Sequence, residues 1–444
     1  MPITTHSKAA RRAPQNPTVT STSPRTRGVL AALIGVCALS FAAVAPFRQG
    51  EVDPRDQQAL GKLLAKYFKD GAKEEAKEKA KVEITAALEK IGKKKDKSVK
   101  DGGEAVLAAL YMTRDLGRAM FYSGEYKTLA GGKVLNEDAG DKKSPLPYAL
   151  SLPKTYKSSG APQTLILCIP GTKDGKTRTP QDYLTDQLTD SVLRDGAVIA
   201  VVTMPAAIAN WPTDEGIKAV MYTLRDIRSN VACDADRVYL LGRDQGVATA
   251  LSICSRFPHL FAGVIGMAGD AGADTGHANF HNLPTFFQGG GGQASAFEAK
   301  VKEAGYNNCT VKPEATVADI WAWIQQSPRV SYPSKVTLAP GVPIPNKAYW
   351  LSIPPTEGVQ GVVKGEADRA TNTIVVTTPA VRNITIFFNN ELVDLSKPVK
   401  IVINGRERQE KITPSVDEWL ALFLSGASDA GRVYVARRDY DVPK

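Results

Sequence analysis

The segment Arg237-Val-Tyr-Leu-Leu-Gly242 reads as a buried strand that runs straight into Arg243-Asp244-Gln245-Gly246. A helix follows at once, with Val247, Leu251 and Cys254 on one face. Two glycines four apart let such a turn tighten and let the helix pack close, while Asp244 is held out at the helix N-terminus. A carboxylate in that place has two kinds of chemistry open to it. It can attack an electrophilic carbon and form an ester, which then needs an imidazole to activate the water that cleaves it. It can also accept backbone N–H bonds where the helix dipole favours negative charge, pair with Arg243, and do no chemistry at all.

Imidazoles are scarce: the chain has four histidines, His6, His259, His277 and His281. His6 lies in a leader-like segment, and His259, within Pro258-His-Leu-Phe261, reads as a surface turn residue. His277 and His281 follow the predicted strand Ala262–Met267, on a loop expected to leave the sheet at the edge that carries Asp244. They are the candidate bases, with Asp270 or Asp274 as orienting acids. The other reading of Gly276-His-Ala-Asn-Phe-His-Asn282 is a loop that simply caps the cleft. No spacing of His, Cys, Asp or Glu suggests a metal site, and no cofactor motif is present.

The surrounding pattern must place these groups. From about Pro147, strands alternate with helices: Tyr148–Pro153, Thr164–Ile169, Ala197–Val202 and Arg237–Gly242 as strands, Pro180–Leu193 and Glu215–Ser229 as helices. That rhythm implies an α/β unit with a mainly parallel sheet, over residues 144–330. With Asp234–Gly242 before the turn and Phe257-Pro-His-Leu-Phe-Ala-Gly-Val-Ile-Gly-Met-Ala-Gly269 after it, the region 145–330 resembles the exported esterase, depolymerase and peptidase-like branch of the α/β-hydrolases.

The resemblance implies a Ser at the elbow, a His after the last strand, an acid after the preceding strand, and an oxyanion-hole loop after an early strand. At each place this sequence departs. The elbow carries Asp244. Ala315 or Thr316 occupies the place of the His, within Val311–Ile324, and Gly289-Gly-Gly-Gly-Gln293 carries no carboxylate. The oxyanion-loop positions are Gly171 and Thr172, in Ile169-Pro-Gly-Thr172 rather than His-Gly-Gly, with Gln245 just after the elbow. By resemblance, elbow aspartates serve as nucleophiles in dehalogenases and epoxide hydrolases. Two functions stay open: a hydrolase-like binding protein without catalysis, its ligand an unknown small molecule or ester-like compound, or a hydrolase with a rearranged site.

Outside this unit, basic residues precede the apolar run Val29–Ala45, which ends Ala43-Val-Ala45. Residues 1–50 therefore read as a signal peptide or an uncleaved anchor, and the chain as exported. Residues 51–143 show helical spacing at Leu60, Leu63, Leu64, Tyr67, at Ile84, Leu88, Ile91, and at Leu107, Leu110, Tyr111, which predicts a helical hairpin packed on the next unit. Residues 331–444 alternate short strands, Lys347–Ile353 and Arg432–Arg437 among them, with Gly, Asn and Pro turns and predict a β-sandwich with one helix at Val416–Leu424. Net charge is +10. Acids interleave the lysines between Lys62 and Lys100, and no nucleic-acid motif accompanies them, so nucleic acid is not an expected partner. Of five cysteines, Cys168 and Cys254 read as buried, and Cys233 and Cys309 as loop residues that could pair in an oxidising compartment.

Overall fold

The computed structural model describes residues 52–442 apart from 70, 125, 141–143, 174–175, 178, 187, 205–210, 212, 273–275, 290, 340–346, 355–360 and 379–380. The leader, with His6 and Cys37, and also Asp274, lie outside the described residues. No described helix is long and apolar enough to cross a membrane.

The central layer is an eight-stranded sheet of β1 (Val134–Asp138), β2 (Pro147–Ser151), β3 (Gln163–Ile169), β4 (Val198–Val202), β5 (Cys233–Arg243), β6 (Gly263–Met267), β7 (Thr285–Gln288) and β8 (Cys309–Lys312). Its spatial order is β1-β2-β4-β3-β5-β6-β7-β8. β1 and β2 run antiparallel, and β4 through β8 are all parallel. Alternate residues of the inner strands enter different cores, as the period of two demands. Leu165, Leu167 and Ile169 face α7 (Asp214–Asn230), α8 (Gly246–Arg256) and α9 (Gly291–Glu303). Ile166 and Cys168 face α5 (Pro180–Asp186), α6 (Ser191–Gly196) and α10 (Val317–Gln326). Burial on both faces explains why β3 and β4 are continuous apolar runs. A mainly parallel sheet sandwiched by helices, with a strained strand-to-helix turn after β5, is the α/β-hydrolase fold.

The remaining elements differ from expectation in one instructive way. The N-terminal helices α1 (Pro54–Phe68), α2 (Glu74–Lys95), α3 (Gly102–Leu110) and α4 (Thr113–Phe121) do not bury their apolar faces on the central sheet. Leu60, Leu64, Leu88, Ile91 and Leu116 join one core with Trp350, Ile401, Trp419 and Tyr434 of the C-terminal module. Two sheets build that module: β9 (Lys335–Leu338), β12 (Val363–Asp368), β13 (Thr373–Thr377), β15 (Val399–Ile403) and β16 (Arg406–Glu410), in the order β9-β12-β13-β15-β16, and β10 (Lys347–Ala348), β11 (Leu351–Ser352), β14 (Asn383–Phe388) and β17 (Ala436–Asp441). Pairing is antiparallel except for β13 with β15.

The predicted strand 347–353 is broken into β10 and β11 by Tyr349, whose φ of 52° makes a tight turn. The strand predicted at 432–437 begins only at Ala436, because Asp429 and Arg432 are held in a bridge of their own. The helix at Val416–Leu424, α11, has its expected bounds and is capped by the Ser415 hydroxyl.

Cys233 and Cys309 are not loop residues. Each is buried, unbonded, and begins a strand, β5 and β8. Two strands lie between these in the sheet, and the register sets Cys309 level with Leu240 rather than Cys233, so they are more than about 14 Å apart, over twice the reach of a disulfide.

Candidate active site

β5 delivers the elbow. Asp244 adopts φ 47°, a left-handed conformation uncommon for a residue with a side chain. The turn is fixed by two backbone bonds: Asp244 N–H donates to the Met267 carbonyl at the end of β6 (3.0 Å), and Val247 N–H donates to the Asp244 carbonyl (3.2 Å). A Cβ at Gly246 would collide with the Ile169 carbonyl, and one at Gly269 with the Asp244 carbonyl, so the ends of β3, β5 and β6 close around the turn only with glycine at these places.

The left-handed backbone also decides where the carboxylate goes. The sequence suggested a helix cap, yet the start of α8 has no side-chain cap. The Asp244 side chain turns instead to the loop after β3, where a Cβ on Gly171 would strike its Oδ2 and Cβ. Thus Gly171, an expected oxyanion-loop residue, does lie beside the elbow, and it is buried. Thr172 continues into a two-residue hairpin with Thr177, while Gln245 is exposed at the head of α8. A half-exposed Arg243 approaches Asp244 at 4.0 Å, an ion pair open to solvent screening.

Among the described residues no histidine is placed beside Asp244. β6 ends beside Asp244, and β7 runs parallel to it with Val264 opposite Thr285. The chain leaving Met267 must therefore return to the opposite sheet edge before Thr285. His277 and His281 sit on that return, not on the part that emerges beside the elbow. Gly276 abuts Ser255, in the last turn of α8, whose eleven residues put it about 15 Å from the elbow end. His277 packs on Phe297, with ring centroids 5.1 Å apart. His281 stacks on Tyr306 at 4.4 Å, and its Nδ1 bonds the Thr337 hydroxyl at 2.8 Å. Burial lowers the pKa of both rings, with Lys300 adding to the effect at His277 and Lys335 and Lys364 at His281. Between them, Asn279 exchanges two hydrogen bonds with the Ala339 backbone. This loop tethers the C-terminal module. Of the proposed acids, Asp270 is exposed past β6.

His259, expected on the surface, is buried in the turn Pro258–Leu260. Its carbonyl accepts from Arg329 Nη1 (2.7 Å) and Arg432 Nη1 (2.6 Å). Burial, with Arg432 adding to it, holds the ring well below the usual histidine range. Both guanidinium groups are wholly enclosed. Arg329 grips Asp429 with two bonds of 2.8 and 2.7 Å and donates from Nε to Asp236 at 2.9 Å. This clamp joins β5, the Pro258 turn, the segment after α10 and the loop before β17. No local pattern announces it, since Arg329 stands 93 residues from Asp236 and 100 from Asp429. Among the described residues no group of His, Cys, Asp and Glu could hold a metal ion.

No protein-family model and no curated protein matches this chain. Solved structures do. A thermostable esterase is 17% identical over 44% of this chain and 63% of its own, with a TM-score of 0.36. This chain thus spans less than two thirds of that protein. Esterase 2 of Thermogutta terrifontis, phosphorylated by paraoxon, is 11% identical over 44% of this chain and 91% of its own (TM-score 0.33). An esterase of Rhizomucor miehei is 12% identical over 44% and 82% (TM-score 0.34).

Proposed function

We propose that this chain is an exported hydrolase-like binding protein that does not turn over an ester, and that a small molecule binds beside Gly171 and Asp244. One observation carries the reading. Among the described residues the elbow carboxylate has no imidazole to work with, because His277 and His281 lie on the return side of the sheet and His259 is enclosed in the clamp. An acyl- or alkyl-enzyme formed on Asp244 would find no imidazole among the described residues to activate the water that releases it. Export rests on the basic and apolar sequence of residues 1–50.

The competing reading is an Asp-nucleophile hydrolase. It is favoured by the left-handed, strained backbone of Asp244, the posture in which this fold presents a nucleophile. Hydrolysis of p-nitrophenyl acetate and of an epoxide by the purified chain separates the two. The expected result is no rate above background, unchanged by Asp244→Asn. Turnover that Asp244→Asn abolishes and that also falls in His277→Ala or His281→Ala would sink the binding-protein reading.

A further inference from the structure

We propose that the C-terminal end of α2 is a docking surface for an anionic lipid bilayer. Between Lys90 and Lys100 six lysines stand against one acid, Asp96. The helix buries Leu88, Ile91 and Gly92 on its inner side, and a Cβ on Gly92 would strike the Ala105 carbonyl of α3. That close crossing fixes the helix face, so Lys90, Lys93, Lys94, Lys95 and Lys97 are all exposed. Lys93 pairs with Glu89 and Lys94 with Asp56, whereas Lys90 and Lys97 have no ion pair among the described residues.

The placement of this end within the fold selects the occupant. α1 and α2 are antiparallel, since Asp56 meets Lys94 (2.6 Å) while Lys66 meets Glu83 (3.1 Å). The lysine end of α2 thus lies at the start of α1, where the chain arrives from the leader. The apolar run ends at Ala45, seven residues before Val52, a span of about 25 Å at full extension. A leader engaged with a bilayer would keep this lysine cluster within reach of the headgroups. Anionic headgroups supply the counter-charge that Lys90 and Lys97 lack. The proposal rests on the leader being directed to a membrane and is independent of what the cleft binds.

Co-sedimentation of the full chain with vesicles tests it, comparing phosphatidylcholine containing phosphatidylglycerol with phosphatidylcholine alone. The variant Lys90→Gln/Lys93→Gln/Lys97→Gln should bind the anionic vesicles about fivefold more weakly for each lysine removed. Raised salt should erase the difference, and Lys154→Gln/Lys157→Gln, exposed elsewhere, should bind like the wild type. Circular dichroism of the triple variant confirms that its helices persist. Equal binding of the triple variant and the wild type overturns the proposal. So does a loss seen on a free polyanion such as DNA but not on the vesicles, which would make the cluster a polyanion site.

Discussion

Asp244 and Asp429 put the same side chain to opposite uses. Asp244 sits where this fold displays reacting groups, half exposed, with one arginine at 4.0 Å and a glycine against its carboxylate. Asp429 sits in a loop of the C-terminal module that no catalytic pattern marks. It receives two bonds from Arg329 and lies 3.4 Å from Arg432. Burial works against the Asp429 charge, but the two arginines outweigh it and hold the carboxyl far below the ordinary carboxylate range. A position that looks functional is thus weakly tied to the structure, and one that looks incidental locks it. Visibility in a motif and energetic weight are separate properties.

The sharpest way to break this comparison is at Asp429. Asp429→Asn would leave two buried guanidinium groups short of a counter-charge, at a cost of about 3–5 kcal/mol in chemical denaturation. The pH dependence has a definite sign. A carboxyl with a depressed folded-state pKa stabilises at all pH values above its unfolded pKa, near 4, and loses that contribution as pH falls below it. Wild-type stability should therefore drop in the acid range, and Asp429→Asn should lack that part of the slope. An acid slope equal in both would detach Asp429 from the clamp.

A middle-sized effect is expected at the elbow. Gly171→Ala drives a Cβ into the Asp244 side chain and the Arg243 carbonyl, costing about 1–3 kcal/mol. Combining it with Asp244→Gly should recover part of the loss, whereas strictly additive effects would mean that the two do not touch. Lys347 is a further probe of the clamp side. Burial, with Arg432 adding to it, pulls its amine down to about 8. The unfolded chain then binds more protons than the folded one from about pH 8 to the ordinary lysine value, so stability should rise with pH across that window. Lys347→Met should flatten the rise. Smallest of all, Asp244→Gly relieves a left-handed backbone and should gain up to about 1 kcal/mol in the same denaturation measurement.

Much of the central fold was legible because its strands are buried on both faces. The expected Thr164–Ile169 and Ala197–Val202 differ from β3 and β4 by one residue each. β16, Arg-Glu-Arg-Gln-Glu, was not legible, since an exposed edge strand has no apolar side to alternate. The elbow could be read from its glycines. The places of His277 and His281 could not, because a long loop between parallel strands crosses from one sheet edge to the other and sequence does not say where along it each residue falls. Arg329 and Asp429 were invisible for a related reason: pairing across 100 residues leaves no periodic trace.

The shared core of the N-terminal helices and the C-terminal sandwich also has a bearing on biosynthesis. Leu60, Leu64 and Leu116 emerge early, but their partners Trp419 and Tyr434 are made some three hundred residues later. For most of synthesis the first helices must wait with an uncovered apolar face, while the central sheet completes itself between them. A nascent chain halted before Trp419 would carry a finished central layer and an unfinished beginning, and that beginning is where holding chaperones would find their grip.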